Sequence, residues 1–393
     1  MGSPNDVDLA TELLPGPQLH HHLVELRRQG PVVPVRFYGA TVPLLTTHEA
    51  VAAAFRDGEH FPPAQAYRRT FEPVVGRNFQ SMEGDEHRLY RRLATPAFRA
   101  NAVAKHDEAT IVELAHEMLD GIAENGPGGS ADLAADFTRR FPFLVICRLL
   151  GVPRQAEADF HRWSLAMLGF TSAPDAALAA SAEFTRYLEP VVCERRNEPR
   201  DDIISDLVTA EADGHRLSDE HVYSHIRLLF SVGANTTHDL LGNLIYALLS
   251  HPEAWERVLA EPHTRAWAIE EVLRWESAVA ILPRFSASEP FEFHGTEIGA
   301  DSFVLFGITA ANRDPAVFSD PDRFDIERRP DAMLSFGPGP RSCPGMHLAR
   351  KEVAIALDTI IERLPGLHLR DVGAAEPSGA VLRGPRELPV AWD

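Results

Sequence analysis

The decapeptide FGPGPRSCPG, residues 336–345, decides the fold of this chain, because a loop rich in glycine and proline delivers a single cysteine to the start of a helix. Pro344 is suited to the first helical position, where a fixed φ and a missing N–H are tolerated. Cys343 would then face the unpaired N–H groups and the positive dipole end of that helix, which lower the pKa of a thiol. The loop therefore predicts a site that holds a sulfur anion.

A thiolate can serve as a nucleophile, a zinc ligand or an axial ligand of haem iron. Zinc usually takes about four ligands at paired spacings such as C-x2-4-C or H-x3-5-H. The other two cysteines, Cys147 and Cys193, lie alone in stretches of helical periodicity, which disfavours zinc. A buried structural cysteine is the plain alternative, but it leaves the Phe, the Gly residues, the Arg and the helix start of the decapeptide unexplained.

The composition of the chain limits its partners. Its 393 residues include 38 Lys and Arg against 57 Asp and Glu, which gives a formal net charge of −19. This excess of negative charge argues against nucleic acid or an anionic membrane as a partner. Three cysteines cannot form a disulfide framework, and no leader-like or long apolar stretch is visible in the sequence. A reducing compartment, the cytoplasm, is therefore expected.

Hydrophobic periodicity predicts a mainly α fold with small β-sheets. Residues 31–46 are β-rich with a turn at Tyr38-Gly39, and residues 282–311 and the C-terminal tail contain further short strands. Helical periodicity is predicted in these stretches: 85–122 with a break at Pro96, 131–150, 154–170, 176–198, 200–213, 219–250, 265–276 and 344–363. No repeat or linker separates these elements, so residues 1–393 are expected to form one domain.

The stretch 219–250 predicts a helix of roughly 32 residues, about 48 Å long, which is enough to cross a whole domain. Its centre, residues 233–237 (GANTT), concentrates poor helix formers. Such a local conflict is expected where a helix serves a function rather than only the core. We therefore expect another group to lie against this segment.

The decapeptide resembles the haem-ligand signature of the cytochrome P-450 superfamily, F-x-x-G-x-[HR]-x-C-x-G, and matches it at every fixed position. The resemblance implies a triangular, mainly helical haem domain with haem b and with Cys343 as the axial iron ligand. A cysteine thiolate donates electron density to the iron and favours O–O cleavage. The chain has no C-x-x-C-H motif for covalent haem attachment, so haem is expected to bind non-covalently. The other haem-binding residues implied in this loop and its helix are Phe336, Arg341, Gly345 and Ala349.

Further segments follow the order of that family. Glu271 and Arg274 match its E-x-x-R motif, in which the i,i+3 spacing puts carboxylate and guanidinium on one helical face. NRDP at 312–315 and DPDRFD at 320–325 follow. The resemblance implies that Glu271 and Arg274 are a structural lock on the cysteine loop, together with an arginine from residues 323–329 that the sequence does not single out.

Basic residues are implied to hold the two haem carboxylates. His87 and Arg91 resemble the H-x-x-x-R helix of the family, and Arg284 matches the position of another propionate-binding arginine. With Arg341 they give four donors for two carboxylates, which suits a non-covalently bound macrocycle. The neighbouring Arg88 and Arg92 are expected on a solvated face, where they could also help dock an acidic electron donor.

The centre of the long helix, VGANTT at 232–237, resembles the family motif [AG]-G-x-[DE]-T-T, with Gly233 and Thr236 in place. The resemblance implies that Thr236 holds water or dioxygen and that Ala234 borders the haem. Asn235 departs from the motif, because an amide cannot donate a proton as a carboxylic acid does. Protons then come through waters alone or with a polar group of the substrate, or the reaction slows and releases peroxide. Thr236 without a nearby arginine favours dioxygen over peroxide as the oxidant.

The implied reaction is hydroxylation of a lipophilic small molecule, such as a terpenoid, steroid, fatty acyl or aromatic compound. O2 is the co-substrate, and a separate ferredoxin and ferredoxin reductase supply electrons from NAD(P)H, since the sequence leaves no room for a fused reductase. Substrate contacts are expected from apolar regions that include Phe230, Thr237, Val279, Ile281 and Val381.

Other activities remain open from the sequence. The same haem site could perform epoxidation, desaturation or oxidative coupling. A haem-thiolate sensor without turnover is the alternative from another class, which Thr236 and the absence of a recognisable output domain disfavour.

Overall fold

The computed structural model describes residues 3–103, 108–124, 126, 128–170 and 173–393. Part of the predicted helical stretch 85–122, residues 104–107, lies outside the described residues. The fold is mainly helical with several small sheets, which confirms the predicted fold class. No helix within the described residues combines the length and the apolar character needed to cross a bilayer.

The first seven α-helices lie before residue 124: α1 Pro17–Arg27, α2 His48–Arg56, α3 Pro63–Thr70, α4 Glu72–Val75, α5 Gly84–Ala94, α6 Ala100–Val103 and α7 Glu108–Ala123. The others follow after residue 140: α8 Phe141–Leu149, α9 Glu157–Leu168, α10 Pro174–Asn197, α11 Ile203–Thr209, α12 Asp219–Ser250, α13 Pro252–Ala260, α14 Arg265–Trp275, α15 Ile308–Asn312 and α16 Met346–Arg363.

The strands are short, and most of them form hairpins: β1 Val32–Phe37, β2 Ala40–Leu45, β3 Ser130–Asp132, β4 Glu211–Ala212, β5 His215–Arg216, β6 Leu282–Phe285, β7 Phe291–Phe293, β8 Thr296–Ile298, β9 Phe303–Phe306, β10 His368–Leu369, β11 Pro377–Ser378, β12 Gly384–Pro385 and β13 Pro389–Ala391. The largest sheet has the order β1-β2-β9-β6. Its first hairpin turns at Tyr38 and Gly39, both at positive φ, as the sequence predicted.

Helix α12 organises the core. It begins after Ser218, whose side chain accepts a hydrogen bond from the N–H of His221, and it continues without a break through residues 233–237 to Ser250. One large apolar cluster packs α7, α14 and α16 against its C-terminal half, and a second packs α8, α9 and α10 against its N-terminal half. A helix that is apolar on most sides is expected at such a central position.

Three predicted boundaries were wrong. The stretch 131–150, predicted as helical, begins in the strand β3, and α8 starts only at Phe141. Helix α16 begins at Met346 with Gly345 as its N-cap, at φ −80° and ψ 2°, so Pro344 precedes the helix instead of opening it. The segment 200–213, predicted as one helix, is the short α11 followed by the hairpin β4–β5. Asp213 and Gly214 both take positive φ there, which is the pattern of an Asp-Gly hairpin turn that the helical reading overlooked.

Candidate functional site

The cysteine loop owes its shape to two glycines. Gly337 and Gly339 have φ values of +66° and +77°, a region that residues with a side chain rarely adopt. The loop closes when the N–H of Cys343 donates to the carbonyl of Phe336 at 2.8 Å. This turn fixes the position of Cys343 two residues before the N-cap of α16.

The backbone N–H groups of Gly345 and Met346 lie near the sulfur of Cys343 and lower the pKa of its thiol. Burial nevertheless raises the pKa of the Cys343 thiol above its usual value, against the lowering effects of these N–H groups and of Arg91 and Arg350. The expectation that the helix start alone favours the thiolate was therefore wrong, because burial outweighs it. Coordination to a metal cation, by contrast, deprotonates a thiol outright.

Phe336 is held beside the loop by a contact that the sequence did not indicate. The guanidinium carbon of Arg350, on α16, lies 4.6 Å from the centre of the Phe336 ring. The same guanidinium pairs with Glu270 on α14 through two bonds of 2.5 and 2.8 Å. Arg350 therefore ties the aromatic side of the cysteine loop to two helices.

The structure brings together the four residues expected at the haem carboxylates. Arg341 donates to the carbonyls of residues 79, 80 and 82 and lies near Arg284 and Arg91. Burial, together with the charges of Arg284 and Arg91, lowers the pKa of Arg341 to about 10. Arg91 also donates to the carbonyl of Ser342 at 2.6 Å, next to the cysteine. Several guanidinium groups thus share a small volume without an equal number of acids.

His87 completes this cationic cluster. Burial, then Arg341 and Arg91, lower the pKa of His87 to about 4. Its Nε2 atom is buried and has no hydrogen-bond partner among the described residues. An unpaired buried polar atom is unfavourable, and so are like charges held together. Both features indicate that an anionic group belongs here.

The residues present fit a haem. A cavity of about 420 Å³ opens between α5 and the cysteine loop, and its lining includes His87, Arg91, Cys343 and Met346. One side offers a soft sulfur ligand for a metal, and the adjoining cluster offers cations and a neutral imidazole for two carboxylates. Ala349, on α16, lies six residues after Cys343 and is half-buried.

The predicted pair on α14 is completely buried. Arg274 binds Glu271 through bonds of 2.7 and 2.9 Å, and both side chains have zero exposure. Arg274 also donates to three loop carbonyls that precede the cysteine loop, those of Asn312, Pro321 and Arg323. Arg328 donates to Glu271 at 3.1 Å, so it is the arginine that the sequence left unidentified within residues 323–329.

The hydroxyl groups at the centre of α12 are engaged with the helix itself. Thr236 Oγ1 donates to the carbonyl of Val232, and Thr237 Oγ1 to that of Gly233, each at 3.0 Å. Because its proton is used in this way, Thr236 can only accept a hydrogen bond from a further molecule.

The three residues that precede Thr236 on α12 differ in their surroundings. A Cβ at Gly233 would lie 3.0 Å from Cδ1 of Ile146 on α8, so glycine permits the close approach of these helices. The amide of Asn235 is partly buried, and among the described residues it makes no hydrogen bond. Ala234 is buried in the apolar cluster between α12 and α8 to α10.

The expected substrate residues lie in three places. Val279, Ile281 and Val381 lie together, since the N–H groups of Ala280 and Ile281 donate to the carbonyl of Val381. Thr237 is buried on α12. Phe230 is completely buried in a separate aromatic cluster, with ring centres 5.1 to 5.5 Å from those of Phe143, Phe160 and Phe184.

Tyr67 also belongs to the cationic cluster, although sequence reasoning missed it. The guanidinium carbon of Arg284 lies 5.5 Å from its ring centre, and its phenol lies close enough to Arg341 to affect the pKa of that residue. Tyr67 is on α3, far from the motifs in sequence, and no local pattern marked it.

Comparison with known proteins bears on these assignments. The sequence profile of the family described as Cytochrome P450 matches residues 9–159 and 167–383. The mycinamicin IV hydroxylase/epoxidase of Micromonospora griseorubida is 36% identical over 377 residues, 94% of each chain. The cytochrome P450 PksS of Bacillus subtilis, a solved structure, superposes with a TM-score of 0.88 at 29% identity and full coverage of both chains. The cytochrome P450 CYP109Q5 of Chondromyces apiculatus gives a TM-score of 0.88 at 31% identity, covering 99% of this chain and 98% of its own.

Proposed function

The chain belongs to the cytochrome P450 family, and from this premise we propose that it is a monooxygenase in which Cys343 ligates the iron of a non-covalently bound haem b. The family implies a haem-thiolate cofactor, the use of O2, redox partners and a lipophilic substrate. Relatives named as hydroxylases, epoxidases and monooxygenases make the chain an oxidoreductase. The observation that carries the assignment of Cys343 is its position in the lining of the same cavity as His87 and Arg91.

Haem, when bound, supplies the redox chemistry, in which RH, O2, two electrons and two protons give ROH and water. The chain supplies the ligand, the orientation and the protons. His87, Arg91, Arg284 and Arg341 would hold the two carboxylates of the macrocycle through charge-assisted bonds. The buried pair of Glu271 and Arg274 would hold the segments before Cys343 in place against α14.

Thr236, at the centre of α12, would accept a hydrogen bond from a water molecule and so hold that water for proton transfer. Asn235 can orient such a water but cannot release a proton to it. The side chains of Ile281 and Val381 are apolar, and we assign them, with Thr237 and Val279, to the substrate pocket. The buried Phe230 would support that pocket from behind, through its aromatic neighbours.

We assign the electrons to a ferredoxin and its NAD(P)H-dependent reductase. The shared core around α12 supports a single haem domain for the chain. The relatives suggest the substrate class. A solved relative was crystallised with myristic acid and another with testosterone. We propose hydroxylation of a lipophilic compound of this kind, and a shift of the iron spin state on titration with such compounds would identify those that enter the pocket.

The carbon monoxide spectrum of the reduced protein tests the proposal. With Cys343 as the thiolate ligand, the purified wild-type protein is expected to give the strongly red-shifted Soret band of a thiolate trans to CO. Cys343→Ser is expected to lose that band. Cys193→Ser, which changes an exposed cysteine on α10, is the matched control and should keep it.

Release of intact haem by acidic organic solvent would check that haem b is bound without a covalent link. A wild-type protein without the red-shifted band, or a Cys343→Ser variant that retains it, would contradict the assignment of the ligand.

A further inference from the structure

We propose that Asp239 is the acid that compensates for the missing carboxyl group at position 235, and that it supplies protons to the water held by Thr236. This inference rests on the proposed monooxygenase function. Each turnover consumes two protons, since RH, O2, two electrons and two protons become ROH and water. The O–H bond of the Asp239 carboxyl breaks as a water takes the proton, and solvent then reprotonates the carboxylate; the electrons come from the ferredoxin.

The position of Asp239 on α12 carries the first part of the argument. It lies three residues after Thr236 and four after Asn235, and the helix is unbroken between them. Residues at these spacings are neighbours on a helix surface, about 5–6 Å apart at Cβ. One water molecule can bridge such a gap between polar groups. These spacings allow a single water molecule to bridge Asp239 to either side chain.

The Asp239 carboxyl is largely covered and yet has no hydrogen-bond partner among the described residues, which is the second part of the argument. Its side chain is 14% exposed and makes no hydrogen bond to the described residues. A Cβ at Gly384 would lie 2.3 Å from Oδ1 of Asp239, so the backbone of β12 covers the carboxyl and only glycine fits there. A structural aspartate that is so covered would normally be paired. Its free oxygens and narrow exposed edge suit a group that exchanges protons with solvent.

Within the part of the chain that the structure describes, the Asp239 carboxyl has no close counter-ion. On its own helix, Nε2 of His238 lies 4.0 Å away, and Nδ1 of that ring is bonded to Thr138. Arg139, before α8, acts on Asp239 only through its field. Two further arginines flank Gly384 in sequence: Arg383 is turned to Glu276 at 2.6 Å, and Arg386 is exposed, as is Glu387.

The acidity of the group agrees with its geometry. Burial raises the pKa of Asp239 to about 7, and Arg139 only partly opposes this. A general acid works best when its pKa is close to the working pH. Asp239 carries its proton below about pH 7 and loses it above, so proton supply should fail as the pH rises through that value.

A second buried acid gives a matched comparison. Glu352 lies on α16, is 3% exposed and has an Oε2 atom without a partner among the described residues. Burial raises its pKa well above the usual value. It belongs to a different helix from Thr236, and Glu352→Gln is therefore the control for the loss of any buried acid.

The experiment uses the holoenzyme with a ferredoxin, its reductase and NADH, and testosterone as the probe compound. The peroxide released per O2 consumed is measured on either side of pH 7. For the wild type we expect little peroxide below about pH 7 and more above it. Asp239→Asn should release several times more peroxide than the wild type below about pH 7, because the proton donor is absent, and the difference should shrink above that pH, where the wild-type carboxyl has lost its proton. Asp239→Glu and Glu352→Gln should follow the wild-type profile.

Two further readouts separate proton supply from a structural role. The double variant Asn235→Asp with Asp239→Asn returns an acid to the position beside Thr236, and it should lower peroxide release again. Infrared spectra of the resting ferric protein, which need no turnover, should contain a protonated carboxyl band that titrates near pH 7 and is missing in Asp239→Asn.

The outcomes distinguish this inference from the function on which it rests. A wild-type protein without the red-shifted carbon monoxide band would refute the haem-thiolate assignment itself. With that band intact, an unchanged peroxide yield and pH profile in Asp239→Asn would overturn the role of Asp239. The same conclusion would follow if Glu352→Gln raised peroxide release as much as Asp239→Asn, because the loss of any buried acid would then have this effect.

Discussion

At the scale of single residues, Arg284 offers the clearest test of the cationic cluster. Among the described residues its guanidinium donates only to the adjacent carbonyl of Pro283, at 3.1 Å, and it stacks on Tyr67, so folding depends little on it. A charge-assisted hydrogen bond contributes about 1.5–3 kcal/mol. We expect Arg284→Ala to accelerate haem loss by about tenfold or more, measured as transfer of haem to an excess of apomyoglobin.

Arg36→Ala is the matched control for this variant. Arg36 lies on β1 of the same sheet as Arg284, but it is exposed, and it bonds the carbonyl of Gly39 at 2.8 Å. Its removal should leave haem loss unchanged. Equal rates of haem loss in both variants would show that Arg284 does not hold the cofactor.

Residues within a motif could be predicted, whereas their partners from distant segments could not. The cysteine loop, His87 and Arg91 were identified because each motif spans only a few consecutive residues. Tyr67 and Arg350 reach the site by folding, and neither has a neighbour in sequence that reveals it. The predicted direction of the pKa shift of Cys343 was wrong for the same reason. The burial that raises this pKa depends on parts of the chain remote from the decapeptide.

At the scale of helices and loops, the buried pair on α14 predicts a large effect on stability. Glu271→Ala would leave the guanidinium of Arg274 buried without its counter-ion, which typically costs about 3–5 kcal/mol. We expect this loss in the free energy of unfolding, measured with urea. Glu117→Ala, which breaks an exposed pair with Arg154, should cause a much smaller loss.

A double replacement guards against a variant that fails to fold. Glu271→Met with Arg274→Met removes the buried guanidinium together with its carboxylate and leaves only Arg328, which is 11% exposed, without that partner, so it should recover part of the stability lost in Glu271→Ala. If Glu271→Ala were as stable as the wild type, the pair would not be the lock that joins α14 to the loops before the cysteine.

The type of each long element was predictable, but the ends of several were not. The 32 residues of α12 carry a long periodic signal with a Ser218 cap, and both ends agreed with the sequence. Helix α16 starts two residues later than predicted, because Gly345 takes the N-cap conformation. In the hairpin β4–β5, a two-residue turn outweighs the helical periodicity of only a few neighbouring residues.

At the scale of the whole molecule, charge is distributed unevenly. The chain has a net charge of −19, yet the rim of the cavity beside Cys343 carries Arg88, Arg92 and Arg99, all exposed. Arg88 pairs with Asp85 and Arg92 with Asp213 at the surface, as expected for a solvated face. An acidic ferredoxin would be repelled by most of the molecule and attracted here, close to the proposed iron ligand.

Charge reversal at this rim should slow reduction of the iron. We expect Arg88→Glu with Arg92→Glu to lower the second-order rate of reduction by an acidic ferredoxin about tenfold or more at low salt, since steering changes association rates by about 10–10³. The difference from the wild type should vanish near 1 M salt, where the Debye length is about 3 Å. Stopped-flow absorbance in the presence of CO would measure both rates.

The control must change the net charge equally at another place. Arg154→Glu with Arg162→Glu does so, because both arginines are exposed and neither lines the cavity beside Cys343. That variant adds the same overall repulsion without touching the rim, so its rate should fall much less. If the two double variants slowed reduction to the same extent at low salt, only the net charge would matter, and the ferredoxin would not dock over Arg88 and Arg92.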